Sequence, residues 1–424
     1  MTNTLNRQTK WIITLAGGLL ALPGLPLLLF GFCAVLALMV ENDPEAVNVG
    51  LGMATFLAVT VGCGGLAFWH GYASIRGQPS RPLRLPLWGL AGGFVLALAL
   101  GWAVWQGEVA LGLFFPPLLL ASAGLGPILA LVWFSGEHPG GLTWRRGLVA
   151  MAGGATLGAG LALILGILLP WIVLVLVAGL AETVLDGLRP LLDALAGRQV
   201  REAIDSPVFI FFFIQIALIA PLTEELAKPL VTLPLLRYLS RRDAFLLGAA
   251  AGVGFAALEN LLYAAFGLGF WGGILAVRAV GAAIHPLGSG LVAVGWRDVL
   301  QGKDNAWGTW FRNYGLAVLV HALWNGGSLI VLTLAAAEFF GELPPEVDVL
   351  GVSMGGTTLA ILLVLGLGAL VAGREVARRL SPAPATGEQL VAAGAPSDRA
   401  IAIWGLLCLA AVVPMGIAAL QLLI

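Results

Sequence analysis

Three glutamates, two histidines, a lysine and an arginine stand inside stretches of sequence that are otherwise apolar: Glu224, Glu225, Lys228, Glu259, Arg278, His285 and His321. Acids and imidazoles gathered away from bulk water suit general acid and base catalysis, in which a side chain activates water and returns a proton to a leaving group. They also suit a proton relay or a metal held by His and Glu. Spacing narrows how they meet. Glu224 and Glu225 precede Lys228 by four and three residues, so on a helix both carboxylates reach the ammonium. Phe255 lies one turn before Glu259, which Asn260 follows; Arg278 and His285 are two turns apart; His321 and Asn325 share one face.

Each motif also has a bland reading. The Glu-Glu-x-x-Lys run is a self-neutralised kink, Glu259 an ion-pair partner for Arg278, Asn260 a packing residue, and each histidine a hydrogen-bonded core residue. Two facts weigh against that reading. An ionisable group in mid-membrane costs about 2.5 to 3.5 kcal/mol, so such residues are functional candidates by default. The chain has only four histidines, and the other two are placed differently: His138 in a loop, and His70 beside Trp69 and Tyr72 near a span's end, where an interfacial role fits.

The elements that must position these residues are membrane helices. Of 424 residues, 59% are hydrophobic and 11% charged, with a mean hydropathy of +0.96. An ordinary soluble domain is about 25% charged. The 58 glycines allow close helix approach. Cys33, Cys63 and Cys408 are scattered in apolar segments and suggest neither a disulfide framework nor a zinc knuckle. A span needs about 20 apolar residues, which predicts an all-α, polytopic transmembrane helical bundle of about eleven spans. They lie near 12–40, 49–75, 86–106, 109–134, 147–178, 207–236, 244–266, 272–296, 313–337, 349–372 and 400–424. The first run is too long for a signal-peptide core and is expected to be retained. The weakest separation is between the third and fourth, where only Gln106, Gly107 and Glu108 intervene.

Charge supports the partition. Arg7, Lys10, Arg76, Arg81, Arg84, Arg145, Arg146, Arg237, Arg241, Arg242, Arg297, Arg312 and Arg374 fall in alternate loops, and acids such as Glu41, Glu45, Glu108 and Glu346 in the others. By the positive-inside rule the N-terminus is cytoplasmic and the C-terminus external. The organisation is a five-span region at 1–178, an external amphipathic connector at 179–206, a four-span core at 207–337 and a two-span region at 338–424. A Pro-rich linker runs through 380–399. Pro221, Pro229 and Pro234 break the sixth span, and a broken helix is tolerated where it lines a cavity. The charged residues lie 9 to 16 positions from the arginine-bearing loops, which predicts a chamber opening toward the cytoplasm. The net charge of -1 gives no attraction to nucleic acid.

The ordered set of motifs resembles the PrsW-type intramembrane proteases, related to the CAAX-processing and bacteriocin-processing enzymes. The resemblance runs from about Ala220 to Asn325. It rests on Glu224, Glu225 and Lys228, on Phe255, Glu259 and Asn260, on His285 with its small residues, and on His321 and Asn325. The chain departs from the pattern at Gly288, Ser289 and Gly290, where a glycine four residues after the histidine is expected, and at Asn325, where relatives carry aspartate. The resemblance implies peptide-bond hydrolysis at a cell membrane, with a membrane protein or peptide as substrate, an anti-sigma factor among them. It implies Glu224 or Glu225 as base, His285 and His321 binding water or oxyanion, and Asn325 as a donor. A metal-independent glutamate mechanism is the expectation; zinc held by the two histidines with Glu225 and Glu259 is the alternative. A proton-coupled transporter using the same Glu/His relay, and a noncatalytic scaffold, are the rival classes.

Overall fold

The computed structural model describes residues 7–21, 47, 50–51, 61–78, 81–136, 142–177, 211, 213–237, 239–339, 348–349 and 352–380. Regular structure there is helical, apart from a two-residue antiparallel ladder of Asp348–Val349 with Val352–Ser353. Among the described residues six helices are long and apolar enough to cross a membrane, seven if one bent pair forms a single span. They correspond to the expected spans at 86–106, 109–134, 147–178, 244–266, 313–337 and 349–372, with 272–296 as the bent pair. The spans at 12–40, 49–75 and 207–236 are described in part. The span at 400–424, the connector at 179–206 and the linker from 381 lie outside the described residues.

Helix α1 (Arg7–Ala21) pairs with α2 (Cys63–Ile75). Helices α3 (Leu87–Gly107) and α4 (Leu111–Ser135) form a hairpin. Its turn takes left-handed backbone at Glu108 (φ 49°) and Ala110 (φ 45°), so the weakest separation in the sequence is a tight turn between two full helices. Thr143 caps α5 (Trp144–Gly153) by accepting from the Arg146 N–H. A π turn at Gly154–Gly158 then leads into α6 (Ala159–Val177).

The sixth span is broken, as its prolines imply. A π turn at Gln215–Ile219 enters α7 (Ala220–Leu230), where Pro221 occupies the first turn and needs no donor. The helix stops at Val231 and Thr232, and α8 (Leu233–Leu236) restarts with Pro234 in its first turn. Helix α9 (Arg241–Phe266) begins at Ser240, whose Oγ accepts from the Asp243 N–H. The eighth span is not the single helix expected. It consists of α10 (Trp271–Val280) and α11 (Ile284–Leu300), bent by 42° across Gly281–Ala283. Pro286 has no N–H for the Ala282 carbonyl, and the Trp324 indole fills the space beside Gly281 that a Cβ would need. Helices α12 (Ala306–Phe339) and α13 (Met354–Arg379) complete the described chain.

Helix α9 is the centre of the bundle and packs against α4, α5 and α11. Gly252 permits the last contact: a Cβ there would come within 2.5 Å of the His285 carbonyl. Helix α11 packs in turn on α12, and α7 on α6 and α11. The spans that carry the charged residues therefore enclose one volume.

Candidate active site

Lys228 is fully buried on α7, and its ammonium holds the site together. Nζ lies 2.9 Å from Glu225 Oε1, 3.0 Å from Glu224 Oε2 and 2.7 Å from His285 Nδ1. It also stands 4.3 Å from the centre of the Phe255 ring. An ammonium has three donors and no acceptor; Glu225 Oε1 and His285 Nδ1 take two of them, and Glu224 Oε2 is held as an ion pair. With Lys228 charged and no metal ion bound, His285 accepts at Nδ1 and carries its proton on Nε2, which lies 2.9 Å from Glu259 Oε2.

Glu259 is held from the other side of the bend by Arg278, whose Nη2 is 2.7 Å from the same Oε2. Arg278 is itself fixed: its Nε donates to Asn260 Oδ1, and its guanidinium covers the Tyr263 ring at 4.4 Å. Asn260 donates to the Ala123 carbonyl at 2.9 Å, which ties α9 to α4. The ion-pair and packing roles considered for Glu259 and Asn260 are thus both present, beside the contact between Glu259 and His285. Arg278 and His285 do not share a helix face, yet the bend brings both to one carboxylate.

His321, on α12, lies with Nδ1 2.9 Å from Glu225 Oε1 and Nε2 3.8 Å from Glu224 Oε2. Its ring meets that of His285 edge to face at 4.5 Å. Asn325, one turn on, donates to the Ile216 carbonyl at 3.0 Å and joins α12 to the π turn before α7. Two further residues support the site. A Cβ at Gly288 would lie 2.5 Å from Glu225 Oε2, so glycine three residues after His285 makes the room that the carboxylate needs. Tyr314 donates to the Leu222 carbonyl at 2.7 Å; its place two turns before His321 was the available signal.

A cavity of about 270 Å³ reaches this cluster between α6, α7 and α9. Ala162, Gly166, Thr223, Glu224, Phe255 and Glu259 line it. Exposure separates the paired acids: Glu224 and Glu259 side chains are 12% exposed, Glu225 is at 0%. The cavity does not run toward the arginine-bearing ends as expected. Its lining includes Leu262, 21 residues beyond Arg241 and so about 31 Å of helical rise from that end. Its rim carries the exposed Leu163, Ile167 and Leu262.

With all carboxylates ionised, Glu224, Glu225 and Glu259 against Lys228 and Arg278 leave one negative charge, which a proton or a metal cation would offset. The donor set fits a metal: ligand atoms of Glu224, His285 and His321 lie within 4.8 Å of one another. Neither ring nitrogen of His321, nor His285 Nε2, has a well-directed hydrogen bond. This grouping differs from the expected zinc set, since Glu224 replaces Glu225 and Glu259. Two histidines and one glutamate with a position left for water is a known arrangement of catalytic zinc.

A helical membrane bundle that buries carboxylates, imidazoles and a lysine beside one cavity is built either for hydrolysis or for ion relay. Residues 158–350 match the family model described as PrsW family intramembrane metalloprotease, a stretch that holds every residue of the cluster. Over that stretch the chain is similar to the PrsW-type intramembrane proteases, and the transporter class is not favoured. No curated protein and no solved structure matches the chain.

Proposed function

We propose that the chain is an endopeptidase that cleaves membrane-embedded or membrane-anchored proteins with water activated by a glutamate. The observation that carries this is that Glu224 and Glu259, which line one apolar cavity, meet the buried His285 and His321. Water is placed among Glu224, His285 and His321. Glu224 takes its proton, being the member of the adjacent pair that borders the cavity, and a protonated carboxyl there can return the proton to the leaving amine. Glu225 is a positioning residue: it fixes Lys228 and faces His321 Nδ1 as an orienting carboxylate. Lys228 and His321 supply positive field and an N–H toward the developing oxyanion.

Glu224, His285 and His321 are also the residues that would hold a divalent cation. Such an ion would lower the pKa of a water and polarise a carbonyl oxygen. Proton transfer would then fall to Glu259, the other carboxylate at the cavity wall.

The rim of exposed leucines and isoleucine supports delivery of substrate from the lipid side, on the half of the membrane away from the arginine loops. With those loops cytoplasmic, a single-span anti-sigma factor is a substrate of this kind. The test is purified protein in liposomes with single-span peptide substrates and no ion gradient, products being identified by mass spectrometry. Cleavage that is lost in Glu224→Gln supports the reading; uncleaved substrate with active control protease overturns it.

A further inference from the structure

A second cavity, of about 500 Å³, lies at the arginine-bearing end between α2, the segment after it and the start of α5. Trp69, His70, Gln78, Arg81, Trp144 and Arg145 line it, and none of its described lining residues is acidic. Its walls are clamped by main-chain pairing, Leu83 N–H to the Leu142 carbonyl at 2.7 Å and Trp144 N–H to the Arg81 carbonyl at 2.9 Å. This fixes Arg81 and Arg145 at one mouth. Arg145 Nη2 donates to the Gln78 carbonyl at 3.1 Å, and its Nε donates to His70 Nδ1 at 3.1 Å. Because Nδ1 accepts, the proton of a neutral His70 ring is on Nε2. That nitrogen has no partner, although His70 is 6% exposed. A buried donor without an acceptor is costly. Arg81 is exposed and forms no ion pair among the described residues.

We propose that this cavity binds the phosphate of an anionic phospholipid headgroup. Guanidinium groups pair with phosphate oxygens in a two-pronged geometry, and His70 Nε2–H supplies a further donor. The tryptophans favour a lipid over a soluble phosphate. Trp69 and Trp144 flank the cavity, and Trp11 and Trp88 are exposed at the same end of α1 and α3, which is the pattern of a membrane interface. Basic recesses between spanning helices on the cytoplasmic side are suited to such headgroups.

The test titrates the detergent-purified full chain with phosphatidylglycerol, phosphatidylcholine and inorganic phosphate, following melting temperature and lipid retention by native mass spectrometry. Phosphatidylglycerol should be retained in preference to phosphatidylcholine and raise the melting temperature. Arg81→Gln, at an exposed side chain with no ion pair to lose, should weaken retention about fivefold, the worth of one basic residue near an anionic surface. Arg145→Gln should weaken it at least as much, while Arg84→Gln, in the same segment but outside the cavity, should leave it unchanged. Equal losses in the Arg81 and Arg84 variants would reduce the effect to general surface charge and overturn the proposal. So would equal retention of the two lipids, or saturation by inorganic phosphate without preference for the lipid.

Discussion

Lys228 Nζ and His285 Nδ1 are 2.7 Å apart across the interface of α7 and α11, and this one contact fixes which nitrogen of the imidazole carries the proton. The ammonium thereby places the His285 Nε2–H on the side of Glu259 while pairing with two buried carboxylates. Removing it strands charge. Lys228→Met should destabilise the folded protein by about 3 to 5 kcal/mol, as breaking a buried ion pair does, seen as a lower melting temperature in detergent. Lys228→Arg should not rescue it, because a planar fork does not fit three acceptors around one point.

The paired acids should separate in their kinetics. Glu224→Gln should lower turnover about 100-fold or more with little change in melting temperature, since a general base contributes that much. Glu225→Gln should lower both, because Glu225 is fully buried against Lys228 and His321. Equal turnover in wild type and Glu224→Gln would remove Glu224 as the base.

Gly288→Ala adds one methyl group where 2.5 Å separates the new Cβ from Glu225 Oε2. The carboxylate must move, so turnover should fall about tenfold or more, with α11 still formed because alanine favours helix. Circular dichroism of the variant beside its cleavage rate checks both halves of this expectation.

Elemental analysis of the active, purified protein reads the balancing cation directly. About one equivalent of a divalent metal, lost in His285→Ala and in His321→Ala, would assign Glu224, His285 and His321 as ligands. Full activity after chelation, with no metal bound, would leave a proton as the cation and Glu224 as the base.

The route to the cavity can be read by labelling. In a background lacking Cys33, Cys63 and Cys408, a cysteine at Thr223 should react with a membrane-permeant maleimide and be protected by a bound peptide. An impermeant reagent should not reach it from the cytoplasmic face. Labelling from that face would restore the opening expected from residue counting alone.

Much of this site was legible because helix spacing is local physics. Glu224, Glu225 and Lys228 meet as their three- and four-residue separations require, and the prolines around them mark where α7 ends. The bend between α10 and α11 was less visible, for it depends on Trp324 packing against Gly281 from a different helix. Counting from flanking charges gave depth along each helix but not which side of the cluster was packed shut. Tertiary packing decides that, as where α9 lies close on α11 through Gly248 and Gly252. The sequence offered Glu225 and Glu259 beside the histidines, whereas the donor atoms that lie close together are those of Glu224, His285 and His321; neighbours in sequence differ by about 100° around a helix, and the position of α6 shows that Glu224 borders the cavity.

Glu259 is gripped by Arg278 from one side of the bent span and by His285 from the other. One carboxylate therefore acts as a rivet across an elbow, and the angle between α10 and α11 is tied to its charge. A peptide N–H that donated to Glu259 would compete with both arms at once, so occupancy of the cavity and the set of the elbow are mechanically the same event.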